Sequence, residues 1–180
     1  MSRTNHISIQ AQKKGMTLVE TLVAIAILLV VTTAVMSTAQ GSLRATYSSR
    51  DQITAYYLAQ EANEYVRNTR DSNTLSETNE WDTYLVGCID APCTVDTSKT
   101  PDDGGLEVCT GPCESLKYDP VSSQYGYWDE FGSESQFTRY VLLEPLGGNG
   151  DEMRVTTTVE WSVGVRERKI VVESLVFNWN

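Results

Sequence analysis

Cys88, Cys93, Cys109 and Cys113 are the only cysteines in the chain, and they lie close together. An even, clustered set in an exported protein is expected to form two disulfides. The zinc alternative, C-x4-C followed by C-x3-C, has a loose ligand spacing. Three pairings are open. The local one, Cys88 with Cys93 and Cys109 with Cys113, closes two tight loops, each with a proline before its second cysteine. The nested one, Cys88 with Cys113 and Cys93 with Cys109, would staple a hairpin. The local pairing is the one expected here. No C-x-x-C is present, so dithiol redox catalysis has no motif.

The carboxylates come in adjacent pairs, Asp102-Asp103, Asp129-Glu130 and Asp151-Glu152. Glycoside hydrolysis needs two carboxylates on opposite sides of one bond, whereas these are neighbours in turns. Calcium asks for clustered oxygen ligands on loops. Asp102-Asp103-Gly104-Gly105 and Gly147-Gly148-Asn149-Gly150-Asp151-Glu152 have that chemistry without EF-hand spacing. Solvated turns are the simpler reading. A calcium site at Asp102, Asp103, Asn149, Asp151 and Glu152 is the alternative, and no other cofactor is implied. The glycines at 147–150 lack a following helix and lysine, so they are not a phosphate loop. The only histidine is His6. Without the first residues the chain would have no imidazole for acid–base work or metal binding. The aromatic run Gln124–Phe131 reads as sheet core; exposed, it would suit a sugar or a partner.

One further carboxylate stands apart. Glu20 lies among the first residues of an apolar stretch whose centre, residues 22–36, holds no charge and no proline. The stretch runs about 24 residues, and as a helix it reaches about 36 Å, enough for a bilayer core of about 30 Å. A buried core helix would not need apolar residues all round. Arg3, Lys13 and Lys14 precede it with no acid, leaving 11 basic against 24 acidic residues in the body, a net charge of −13. The positive-inside rule keeps the leader in the cytoplasm and sends the body out. So acidic a body repels phosphate backbones, and no nucleic-acid partner is expected. A secretory signal cut after Ala39 is a competing reading. Glu20 weighs against it, because a carboxylate near a bilayer centre costs about 2.5–3.5 kcal/mol on insertion scales, as does a helical pattern that continues past residue 40.

The elements behind these residues follow from periodicity. Leu43, Tyr47, Thr54, Leu58, Ala62, Tyr65 and Val66 recur at helical spacing, so a single helix is expected over 17–71, with Gly41-Ser42 its likeliest bend and Asp71-Ser72-Asn73 its end. Glu64 with Arg67, and Arg67 with Asp71, can pair across a turn. Residues 72–120 read as irregular, with short strands at 83–87 and 106–109. Strands follow at 136–143, 153–163 and 167–177, with 124–128 as an edge. Met153, Val155, Thr157, Val159, Trp161 and Val163 face one way. On the last strand Val171, Leu175, Phe177 and Trp179 are expected to share the core face. The fold class is α+β: a long N-terminal helix whose outer half packs on a C-terminal antiparallel sheet of three or four strands, with a disulfide-stapled connection. The domains expected are a leader at 1–15, a transmembrane half-helix at 16–40 and an extracytoplasmic body at 41–180.

Lys13-Lys14-Gly15-Met16-Thr17-Leu18-Val19-Glu20, followed by the apolar helix, resembles the processing signal of the type IV pilin family, which includes minor pilins and type II secretion pseudopilins. Met16 stands where that family usually has phenylalanine. Val35-Met36-Ser37-Thr38 lacks the helix-kinking proline of many major pilins, which tilts the reading to a minor one. The resemblance implies cleavage after Gly15 by a prepilin peptidase and methylation of the new amine on Met16. It implies a pilin fold and a non-enzymatic structural subunit of a type IV pilus, competence or type II secretion filament. It also implies, as partners, other pilin or pseudopilin subunits, membrane lipid, and an inner-membrane assembly platform with its ATPase. In such a filament Glu20 of one subunit could pair with the Met16 amine of its neighbour, each offsetting the other's desolvation. As a helix-capping carboxylate, Glu20 would be stabilised by the dipole instead. The location implied is the cytoplasmic membrane, single-pass, then a surface or periplasmic filament. Two other functions stand beside it: a surface adhesin using loops 72–130, and a secreted enzyme for which no nucleophile–base pattern exists.

Overall fold

The computed structural model describes residues 15–128, 132–148 and 150–178. His6, Lys13, Lys14, Asp129, Glu130, Asn149 and Trp179 lie outside them. Helix α1 runs Leu18–Leu75, four residues past Asp71, and is helical through Gly41 and Ser42. The chain divides into two units between Thr46 and Tyr47.

In the second unit, α1 buries Ala55, Leu58, Ala59, Ala62 and Val66. Three of these, Ala55, Ala59 and Ala62, are alanines without exposed area, so this stripe of the helix is completely covered. The buried stripe differs from the one expected: Leu43 and Tyr47 are exposed, and Ala55 and Ala59 take their place. Alanines carry much of the buried stripe, which a search for large apolar residues passes over. Of the expected pairs, Glu64 and Arg67 meet at 3.0 Å, but Asp71 pairs with Arg70 rather than Arg67.

Among the described residues the sheet has seven strands, all paired antiparallel: β1 Cys93–Val95, β2 Leu106–Val108, β3 Ser115–Asp119, β4 Gln124–Gly126, β5 Ser133–Leu146, β6 Glu152–Val163 and β7 Arg166–Phe177. Its backbone is the meander β5-β6-β7. The free edge of β5 carries β1 and β3, with β2 beyond β1 and β4 beyond β3. The sheet is thus larger than the three or four strands expected: β2 and β4 match the strands expected at 106–109 and 124–128, while β1 and β3, not expected, join them to the edge of β5. Residues 83–87 are turn and 3₁₀ helix instead of strand. Tyr84 adopts φ +68°, and the Leu85 amide donates to the Asp82 carbonyl at 2.8 Å, a local bond that replaces a ladder.

The register sets which residues face α1. Met153, Val155, Thr157 and Val159 are buried on β6, and their direct partners on β7 are Val176, Ser174, Val172 and Ile170. Direct partners share a face. The inward residues of β7 are therefore the even-numbered ones, and Val171, Leu175 and Phe177, expected in the core, point outward at 46, 45 and 39 % exposure. Val163, also expected inward, is exposed past the end of the helix contact.

Two packed clusters result. Ala55, Leu58 and Ala59 meet Leu116, Phe137, Val159 and Trp161. Ala62 and Val66 meet Val95, Val141, Leu143, Met153, Val155 and Val176, closed over by Trp81 and Leu85. Between them a cation enters the core. Arg139 is fully buried in phase with Phe137 and Val141, and its guanidinium donates to Glu61 Oε2 at 2.6 Å, the Leu58 carbonyl at 3.2 Å and the Val95 carbonyl at 2.6 Å. It ties α1, β5 and β1 together.

Candidate functional site

Gly15, Met16 and Thr17 precede α1, exposed and without regular structure. Thr17 caps the helix: its Oγ1 accepts the Glu20 N–H at 3.2 Å and its carbonyl accepts the Thr21 N–H at 3.2 Å. Thr17-Leu18-Val19-Glu20 has the order of a capping box. Glu20 lies in the first turn, where the unpaired amides of a helix favour negative charge. The sequence reading gives Glu20 a capping role without its partner; T-x-x-E before an apolar run is the signal that identifies Thr17.

From Leu18 to Thr46 every residue is exposed except half-buried Thr21. The exposed face includes Leu22, Leu28 and Met36, each 63 % accessible. Apolar surface continuous around a helix is not stable in water and calls for lipid or other helices. The threonines within it leave no free hydroxyl proton. Thr32 donates to the Leu28 carbonyl at 2.9 Å, Thr33 to Leu29 at 2.9 Å and Thr38 to Ala34 at 3.0 Å. Donation back along the helix satisfies each hydroxyl internally, which an apolar medium requires. The first unit therefore offers an exposed, non-helical start, a single acid one turn in, and a span whose threonine hydroxyls are satisfied by the helix's own carbonyls.

The cysteines close locally, Cys88 to Cys93 and Cys109 to Cys113. The first pair is buried in the core and the second half-exposed. Asp102 and Asp103 occupy the 3₁₀ turn Pro101–Asp103. The carbonyl of Asp151 accepts the Asn178 amide at 2.8 Å, and Glu152 begins β6. Among the described residues no group of three or more His, Cys, Asp or Glu side chains converges as a metal site. Of the aromatic segment, Tyr125 and Tyr127 pack rather than project. Tyr125 meets Phe137 edge-on at 5.7 Å, and the Tyr127 hydroxyl donates to the Arg139 carbonyl at 3.3 Å.

Residues 10–36 match the family model described as the prokaryotic N-terminal methylation motif. No curated protein and no solved structure matches the chain.

Proposed function

We propose, from the premise that this chain carries the N-terminal methylation motif of type IV pilin-like precursors, that it is a minor pilin or pseudopilin, a structural subunit of a pilus, competence or secretion filament. The observation that carries this reading is the uncovered apolar helix from Leu18 to Thr46, joined directly to a folded domain and opened by exposed Gly15-Met16-Thr17. A prepilin peptidase on the cytoplasmic side cuts after Gly15. The freed amine of Met16 is methylated, which keeps it cationic.

Within a bundle of such helices two charges then lie in an apolar medium. Alone each is costly; paired, each offsets the other's desolvation. Glu20 of one subunit holds the Met16 amine of the next and sets the stagger between them. Thr17 and the helix amides hold Glu20 in place until that partner arrives. An assembly platform and its ATPase supply the work of extraction from the membrane.

Mass spectrometry of the mature amino terminus tests processing: N-methyl-Met16 is expected, and a chain beginning at Gln40 would refute the filament. Glu20→Ala is expected to leave membrane insertion intact and to abolish incorporation. Normal filaments carrying the variant would remove the pairing role.

A further inference from the structure

A hollow of about 500 Å³ opens in the second unit between α1 and the strands β3, β4 and β5. Small-molecule sites are typically about 300–1,000 Å³. Two tyrosines give it ring surfaces. Tyr118 on β3 and Tyr125 on β4 are direct partners in the register, with ring centroids 5.0 Å apart and planes at 49°. Buried Phe137 meets Tyr125 edge-on at 5.7 Å and holds that ring in place.

The rest of the lining is largely polar. Among the described residues Arg50, Asp51 and the hydroxyls of Tyr118 and Tyr125 make no hydrogen bond or ion pair. Burial, and next the Tyr118 hydroxyl, push the Tyr125 hydroxyl up, with Arg50 opposing and Asp51 adding to the rise. All three neighbours therefore act on that one hydroxyl. Ser135 Oγ accepts the Phe137 N–H at 3.2 Å, which leaves its own proton free to donate. Donors and acceptors set around ring faces match a pyranose. Its C–H face packs on aromatic rings, and each of its hydroxyls both donates and accepts. Arg50 against Asp51 and Glu134 leaves the lining one net negative charge, which repels anions. No group of three or more metal-ligating side chains converges among the described residues, so a metal ion has no cage here.

We infer that this hollow binds a neutral glycan, with one pyranose ring seated against Tyr118 and Tyr125 and its hydroxyls held by Asp51, Arg50 and Ser135. The carboxylate of Asp51 accepts from sugar hydroxyls, while the Arg50 guanidinium and the Ser135 hydroxyl donate to them. This is a binding function beyond the filament role and does not depend on it. It also departs from the surface expected in sequence. Of the residues named, only Tyr118 and Tyr125 come from the loops at 72–130; α1 and β5 supply the charges and the hydroxyl. Ser123 and Tyr125 also line a second hollow of about 410 Å³ with Leu58, Glu61 and Trp128, so a chain of sugars has room beyond the first ring.

The test uses the whole chain in lauryldimethylamine oxide micelles, because detergents with sugar headgroups would compete for the hollow. Saturation-transfer NMR reads maltotriose, cellotriose and triacetylchitotriose as neutral probes and sialyllactose as an anionic one. Transfer to at least one neutral probe is expected, with little to sialyllactose. Asp51→Ala and Arg50→Ala, both at the helix surface, are each expected to weaken that binding about tenfold. Tyr118→Ala is expected to weaken it about fivefold. No transfer to any neutral probe from folded protein overturns the site. Equal transfer to sialyllactose overturns the choice of a neutral ligand. Binding unchanged in both Asp51→Ala and Arg50→Ala places the sugar elsewhere and overturns the proposal, whatever Tyr118→Ala does to the fold. None of these outcomes bears on filament assembly, which Glu20→Ala reads separately.

Discussion

Arg139 and Glu61 are unequal partners. The guanidinium is fully buried and the carboxylate is 44 % exposed, so removing one is not equivalent to removing the other. Glu61→Ala leaves a cation in the core with only carbonyl dipoles for company. Arg139→Met leaves a carboxylate that water can solvate and one strand carbonyl, Val95, without its donor. The expected losses are about 3 kcal/mol for Glu61→Ala and about 2 kcal/mol for Arg139→Met. Urea unfolding with an unchanged m-value measures both, and the reverse order would mean that Glu61 contributes little to holding the cation. The residue was legible in sequence only as a charge in phase with Phe137 and Val141; its partner, 78 positions away, was not.

At the scale of elements, β7 shows how pairing overrides pattern. Its outer positions Val171, Leu175 and Phe177 are as apolar as its inner ones, Ile170, Val172 and Val176, so alternation alone cannot say which face is core. The register with β6 decides it. Val176→Ala is expected to cost about 1–2 kcal/mol, since Val176 is almost fully buried and loses apolar burial and packing. Val171→Thr, on the outer face, is expected to stay within about 0.5 kcal/mol. Equal costs in thermal or urea melts would mean the strand is turned over.

The two disulfides separate in the same way. Cys88 and Cys93 lie in the core, with 1 and 0 % exposure, while Cys109 and Cys113 are half-exposed. A mild reductant followed by alkylation is expected to label Cys109 and Cys113 well before Cys88 and Cys93. Simultaneous labelling of all four would show that access does not govern reduction here.

For the whole molecule, alkali is the informative stress. Burial, reinforced for Tyr65 by the negative charges of Asp96 and Asp102, pushes the hydroxyls of Tyr65 and Tyr127 up to about 12. Burial dominates at Tyr127, where Arg139 acts in the opposite direction. Both groups are neutral in the fold and ionise more easily in the unfolded chain, near pH 10. Their contribution is thus complete below about pH 10 and lost as pH rises toward about 12. Denaturation midpoints are expected to fall across that window, with phenolate absorbance appearing in step with unfolding. Full ionisation before unfolding would show both side chains to be open to water. This loss belongs to the second unit alone; the apolar helix of the first has no ionising group between Thr21 and Leu43.

What the amino-acid sequence determined by itself is local and chemical. An uncharged run long enough to cross a bilayer, one acid at its start, basic residues before it and four clustered cysteines are readable because each depends on composition or on neighbours within a few positions. The α+β layout followed from where helical and alternating periods fall. Tertiary structure decided the rest. The buried stripe on α1 depends on which residues the sheet covers, and the face of β7 depends on its register with β6. The attachment of the short strands β1 to β4 depends on the open edge of β5, and Arg139 depends on a carboxylate 78 positions earlier in the chain. Each is a contact between residues far apart in sequence, and a one-dimensional pattern carries no signal for which distant partner wins.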